Sequence, residues 1–208
     1  MIRAFPAAGA AAAHRRVAVV GVGLWTPESG SAGAAAGGDG ARARAATTGQ
    51  GTPAIRPRRR ASLLTQIAAA VAVQAAEQGG VSLSEVPVVM GSGFGEMATT
   101  IDLLKECETS GDLSPTRFHN SVHNNAAAHL SITHQNRDFS TSIAAGHETV
   151  AMVLLEAVML LHDRGGHVLA IVADEPLPAL LLHDRGTPAV GAALLLAADP
   201  TDGRGGGR

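Results

Sequence analysis

Phe139-Ser140-Thr141-Ser142-Ile143-Ala144-Ala145-Gly146-His147-Glu148-Thr149-Val150 joins a short strand-like run to a long apolar one through a turn of small residues. Phe139 to Ile143 reads as a strand. Ala145 to Leu161 reads as a helix, because Val150, Val153, Leu154, Ala157, Val158 and Leu161 recur at steps of three and four. Its apolar character runs round much of the circumference, which predicts a central position. A strand that feeds directly into a helix is the repeating unit of an α/β protein.

The same alternation continues on both sides. Arg16 to Gly23 is a β-branched run closed by glycines, and Arg60 to Gln78 is helical, with Leu63, Leu64, Ile67, Val71 and Ala75 on one face and Gly79-Gly80 as its stop. Val86 to Gly91 reads as a second strand and Thr99 to Glu108 as a short amphipathic helix. Asn124 to Ile132 reads as a helix in which Ala126, Ala127 and Ala128 permit close backbone approach. Val168 to Ala173 and Ala189 to Ala198 complete the strands. These strands are continuous apolar runs, so the fold class is α/β, layered around a mostly parallel, buried sheet. One domain over residues 16–198 is expected. A flexible N-terminus (1–15), a mobile low-complexity loop of Gly, Ala, Thr and Arg (29–57) and a disordered tail (199–208) are expected around it.

Composition narrows the function classes. The 208 residues are 46% apolar and only 16% charged, which fits a globular chain. Four Phe, one Trp and no Tyr make a base-stacking surface unlike this protein. A formal charge of -2, with Arg56-Pro57-Arg58-Arg59-Arg60 as the lone basic cluster, argues against nucleic-acid binding. The single Cys107 excludes an internal disulfide and suits a reducing, cytoplasmic setting. No apolar run reaches the roughly 18–20 residues of a membrane span.

Several segments invite a chemical reading. Gly91-Ser92-Gly93-Phe94-Gly95-Glu96 follows a strand as a dinucleotide loop would, but its third glycine falls one position early and Glu96 would face the pyrophosphate. His119, His123, His129 and His134 suggest a metal. Only His119 and His123 have a spacing that could share a helix face, and no Asp, Glu or Cys lies among the four to complete a shell. No metal and no cofactor is therefore assigned, and polar contacts at a buried helix start are expected instead. The turn at residues 144–146 sits where enzymes place a nucleophile at a helix N-terminus, yet it carries only Ala144, Ala145 and Gly146. His147 and Glu148 can serve in acid–base work or as ordinary first-turn residues, where Glu148 favours the helix dipole. Asp174-Glu175 reads as a solvated strand end rather than as paired carboxylates. Cys107, flanked by acids that raise its pKa, reads as an ordinary thiol.

In this order the segments resemble the N-terminal half of a β-ketoacyl synthase, with its thiolase-type fold. Arg16 to Gly23 resembles the family's opening strand and Val88 to Gly95 its glycine-rich second strand and turn. Leu113-Ser114-Pro115-Thr116-Arg117-Phe118 and Ser121-Val122-His123-Asn124-Asn125-Ala126-Ala127-Ala128 resemble its helix start, and Phe139 to Leu155 its strand and nucleophile-bearing helix. Val172-Ala173-Asp174-Glu175 and the stretch from His183 to Ala193 resemble its later strands and turn. The variety most like it is the short, stand-alone chain-length factor of bacterial aryl-polyene-type clusters.

The resemblance implies a role by what is missing. Matching Val150-Ala151 to the family pattern puts Ala145 at the position of the nucleophilic cysteine, and a methyl group cannot attack a thioester. The family's catalytic histidines and lysine belong to a C-terminal half beyond this stretch. The expectation is therefore a non-catalytic subunit, not an enzyme. It would form a heterodimer with an active β-ketoacyl synthase, meet acyl carrier protein only indirectly, and border the acyl tunnel. By position, Phe118, His123, Asn124, His129, Phe139, Ile143, Ala145 and His147 are the candidates for that interface or tunnel. The alternatives are a stand-alone acyl-thioester enzyme using His147 and Glu148, or His123 and Asn124, and a homodimeric scaffold.

Overall fold

The structure, a computed structural model, describes residues 16–27, 61–181 and 188–198. The expected flexible ends, the 29–57 loop, the basic run at 56–60 and His183 to Gly186 lie outside the described residues. The elements run β1 (Val17–Trp25), α1 (Leu63–Gly79), β2 (Val88–Gly91), α2 (Met97–Ser110), α3 (Pro115–Asn120), α4 (Asn125–His134), β3 (Ser140–Ile143), α5 (Thr149–Arg164), β4 (His167–Asp174) and β5 (Val190–Ala198). One-turn 3-10 helices sit at Gly146–Glu148 and Ala179–Leu181.

The five strands form one sheet in the order β1-β5-β4-β2-β3. β2 pairs in parallel with both β3 and β4, while β5 runs antiparallel to β4 and β1. The α/β class stands, and the sheet is mixed. The reversed strand is β5, where the high alanine content left the least directional pattern to read.

Helices cover both faces. On one, α1 and α4 seal a core of Leu64, Ile67, Val71, Met90, Leu130, Ile171 and Leu195. On the other, α5 lays Val153, Ala157 and Leu161 on Val89, Val168, Ala170 and Leu196. α1 begins at Ser62, whose Oγ accepts the Thr65 N–H at 3.1 Å, and ends at Gly80 in the left-handed region (φ 67°). Its alanine-rich face lets β1 approach closely. A side chain at Gly21 or Gly23 would collide with the α1 backbone at Ala75 or Val71. Gln78 and Gln74 then accept the Val22 and Leu24 N–H groups at 2.6 and 3.1 Å, pinning the strand to the helix.

α5 departs from its sequence reading. It is apolar nearly all round, as the pattern says, but the described residues do not enclose it. Val150, Leu155 and Met159 are more than half exposed, at 54%, 54% and 58%. It also starts later than expected, at Thr149, because residues 146–148 form a tighter 3-10 turn. No helix among the described residues is long and apolar enough to cross a membrane.

Candidate functional site

β2, β3 and β4 are mutually parallel, so their C-terminal ends open on one side of the sheet and their following loops meet there. The meeting is fixed by Asp174 at the end of β4. Its Oδ1 accepts Ser92 Oγ–H at 2.6 Å and the N–H groups of Gly93 and Phe94 at 3.0 and 3.4 Å. Ser92 Oγ accepts the Gly95 N–H at 2.8 Å, and Ser92 N–H donates to the Ile143 carbonyl at 3.2 Å. His123 donates from Nε2 to the Ser92 carbonyl at 3.1 Å, and its ring lies against Gly95, which holds φ at 62°. A Cβ at Gly93 would sit 3.8 Å from the Gly146 carbonyl, so the loops after β2 and β3 are neighbours.

Behind this loop lies a buried polar knot. Glu96, 2% exposed, accepts at Oε1 from Ser62 Oγ (2.7 Å), Thr65 Oγ1 (3.1 Å) and Asn125 Nδ2 (2.9 Å). Asn125 Nδ2 also reaches Thr65 Oγ1 at 3.1 Å. One carboxylate therefore ties together the starts of α1, α2 and α4. Glu175, also buried, accepts the Ala98 N–H at 3.2 Å in the first turn of α2. Burial pushes the Glu175 carboxyl above its ordinary value. The nearby Glu96 and Asp174 carboxylates add to the rise, while the Ala98 and Leu64 N–H groups oppose it. The reading of Asp174-Glu175 as a solvated strand end is therefore overturned: both carboxylates turn inward, because the backbone N–H groups of the β2 loop and the α2 start need acceptors.

The sign of the Glu175 shift gives a pH prediction. The folded state holds this proton more tightly than the unfolded chain, whose glutamate titrates near 4.5. The stability it contributes is complete below that pH and is lost as pH rises through the folded value. Glu175→Gln retains an acceptor for Ala98 N–H and has no proton to lose. Its urea-unfolding free energy is expected to gain on that of the native chain as pH rises from 4.5 toward neutrality. Parallel pH profiles for the two proteins would refute it.

The turn after β3 is held from inside. Buried Thr149 Oγ1 accepts the Ala145 N–H at 3.0 Å and donates to the Gly146 carbonyl at 2.8 Å. Gly146 takes φ 56°, and Glu148 N–H closes the 3-10 turn on the Ala145 carbonyl at 3.0 Å. Ala145 is half-buried in this rigid turn at the N-terminal end of α5, and its side chain is a methyl. His147 and Glu148 are exposed on the same turn.

The other candidates scatter. Asn124 precedes α4 and makes no side-chain cap. Phe118 is exposed on α3. His119 and His123 do not share a helix, because α3 ends at Asn120. His129 lies mid-way along α4, with Nδ1 3.4 Å from Thr133 Oγ1. At the end of α4, burial pushes the His134 pKa below its ordinary value, and His129 adds to the fall. Phe139 lies at the far end of β3 under the Arg164 guanidinium, 5.1 Å from the ring centre. Ile143 packs towards α5. Ala145, His147, His123 and Asn124 thus gather at the loop end of the sheet, whereas Phe118, His129 and Phe139 do not. The joint polar role of Ser92, Glu96, Asn125 and Thr149 escaped the sequence reading, which met Ser92 and Glu96 only as parts of the Gly91–Glu96 stretch. The usable signal was a polar residue at the start of each of α1, α2 and α4, together with acids closing two apolar runs.

The family model for the β-ketoacyl synthase N-terminal domain matches residues 40–203. Among solved structures, a chain of the complex of the ketosynthase ApeO with its chain length factor ApeC from Xenorhabdus doucetiae is 25% identical, with a TM-score of 0.60 over 68% of this chain and 59% of that one. A β-ketoacyl synthase from Burkholderia phymatum STM815 is 14% identical, with a TM-score of 0.62 over 90% of this chain and 60% of that one. The type II polyketide complex AntDE:AntF, a ketosynthase with its acyl-carrier protein, has 14% identity and a TM-score of 0.61 over 88% and 58%. The last two likenesses concern the fold alone. The chain spans 58–60% of the length of these three structures. No curated protein matches the sequence.

Proposed function

The chain belongs to the family of β-ketoacyl synthase N-terminal domains, and from that membership we propose that it is a non-catalytic, chain-length-factor-like subunit. It pairs with an active β-ketoacyl synthase in the cytoplasm, stabilises it and bounds the acyl tunnel during aryl-polyene-type or related chain elongation. The observation that carries the reading is the turn at Ala145. A rigid strand–turn–helix junction is built in full, and the residue it holds at the helix N-terminus has no group able to form an acyl-enzyme. The exposed His147 and Glu148 beside it carry no thiol or hydroxyl to stand in for the cysteine.

The edge of the sheet supports the pairing. Among the described strands, β3 has β2 on one side only. Phe139 and Ile143 give their carbonyls to β2, accepting Val88 and Ser92 N–H at 2.9 and 3.2 Å. The alternation of a strand then points the N–H and C=O groups of Ser140 and Ser142 outward, free to join a strand of another chain. The tunnel-bordering role falls to Ala145, His147, His123 and Asn124, which share the loop end, and the edge contact to β3 with Phe139 and Ile143.

The test is co-expression with a cysteine-bearing ketosynthase, tagging only this chain. A 1:1 complex that elongates a carrier-bound acyl chain is expected, with all acylation on the synthase cysteine. The Cys107→Ser variant of this chain is expected to support the same rate. Ser140→Pro, which removes an outward N–H and no bond within the sheet, is expected to lower recovery of the complex by about tenfold or more. Acyl turnover by this chain without a synthase would overturn the proposal, as would a chain that ignores the synthase.

A further inference from the structure

The turn after β3 holds one amide that is already committed. The Ala145 N–H donates to Thr149 Oγ1 at 3.0 Å, and that hydroxyl donates onward to the Gly146 carbonyl at 2.8 Å. Thr149 is 3% exposed, so the amide is turned inward under the first turn of α5, while Gly146, His147 and Glu148 are exposed. The two amides that follow on this side of α5 are closed as well. Glu148 N–H reaches the Ala145 carbonyl at 3.0 Å, and Thr149 N–H reaches the Gly146 carbonyl.

The Thr149 hydroxyl has no freedom to swing away. A Cβ at Gly91 would lie 2.9 Å from Thr149 Cγ2, so the threonine methyl packs against β2 where a glycine makes room for it. With the methyl seated there and the hydroxyl bonded as both acceptor and donor, the side chain is held in one rotamer.

Attack on a thioester builds negative charge on the carbonyl oxygen, and the backbone N–H of the nucleophile's own residue is one of the donors that can stabilise it. Here that N–H already has an internal acceptor. We infer that Thr149 is a positioning residue that withdraws the residue-145 amide from acyl chemistry. The turn is therefore disarmed twice, by the methyl of Ala145 and independently by the hydroxyl of Thr149. The inference rests on the reading of Ala145 as the nucleophile position and goes beyond it: putting a thiol back does not by itself put acyl transfer back.

Two reactions of an introduced thiol separate the two effects. Alkylation by iodoacetamide needs only an accessible thiolate. Acylation by S-acetyl-N-acetylcysteamine also needs help for the oxyanion. The thiolate attacks the carbonyl carbon, charge moves to the oxygen, and the adduct collapses with loss of the cysteamine thiolate, which takes a proton from water. The ratio of acylation to alkylation, read by peptide mass spectrometry on the full chain, largely cancels differences in thiol pKa and access. Exposed Cys107 in the same molecule is the reference thiol.

In Ala145→Cys the ratio at position 145 is expected to match that of Cys107. Adding Thr149→Val, which keeps the shape and the methyl but cannot accept a hydrogen bond, is expected to raise the ratio about tenfold. Adding Thr149→Ser instead, which keeps the hydroxyl, is expected to leave it unchanged. Loosening of the turn alone would raise both rates and leave the ratio where it was. A ratio in Ala145→Cys about tenfold or more above that of Cys107 would show that the turn still offers an oxyanion donor, and would overturn the inference. A ratio unmoved by Thr149→Val would overturn it too, because the hydroxyl would not be what withholds the amide. Failure of the subunit reading looks different: the native chain, with Ala145 in place, would turn over an acyl thioester without a synthase.

Discussion

Gly23→Val is expected to leave the chain unfolded or insoluble, at a cost of about 3 kcal/mol or more. The new Cβ would overlap the Val71 carbonyl of α1. That obstacle is backbone in the middle of a buried helix, so no rotamer change relieves it. Either β1 must lift off α1 and lose the Gln74 and Gln78 contacts, or α1 must tilt away from the core that holds Leu64 and Ile67. Gly80→Ala is the control. Nothing lies within 4 Å of a Cβ there, and only the left-handed φ of 67° opposes it, which costs about 1 kcal/mol. Urea unfolding of both variants checks the contrast. A Gly23→Val protein as stable as Gly80→Ala would show that β1 does not depend on this close approach.

Glu96→Ala is expected to cost on the order of 3 kcal/mol, because it leaves two buried donors and one half-buried donor without their acceptor at once. Ser62, Thr65 and Asn125 all donate a hydrogen to Oε1 of that residue; Ser62 and Thr65 form the first turn of α1, and Asn125 opens α4. The loss is therefore distributed: α1, α2 and α4 all lose their common anchor, and protection of amide hydrogens in their first turns is expected to fall together. Glu96→Gln keeps an acceptor oxygen and is expected to cost much less. If the alanine and glutamine variants unfolded at the same urea concentration, the charge and not the hydrogen bonding would be what the site needs.

The two residues show what could and could not be read in the sequence. The strands and long helices are written in local apolar periodicity, so β1, α1, α5 and β4 stand within a few residues of their expected places. The reversed β5 has a pattern compatible with either direction, since buried central strands are apolar throughout. Ala145 was legible because the turn around it is local, running from Ile143 to Thr149. The Glu96 knot was not, because it joins Ser62, Thr65, Glu96 and Asn125, which are neighbours only once the helices are packed. Likewise Asp174 meets Ser92 across β2 and β4. Read locally, each is just a polar residue near a loop, and a buried network leaves no periodic trace. The enclosure expected for α5 is incomplete among the described residues for the opposite reason: hydrophobicity tells that a face wants cover, not which residues supply it.

Among the described strands β1 pairs with β5 alone, with Val17 opposite Ala198 and Trp25 opposite Gly191. A ribosome makes β1 before the other described strands and β5 after them. At about 5–20 residues per second, the strand is outside the tunnel for on the order of ten seconds before its neighbour exists. During that time its valines and unpaired backbone are exposed to every other nascent chain. The sheet cannot be assembled in the order in which it is translated, so the protein's yield in a cell depends on what shields Val17–Trp25 while it waits.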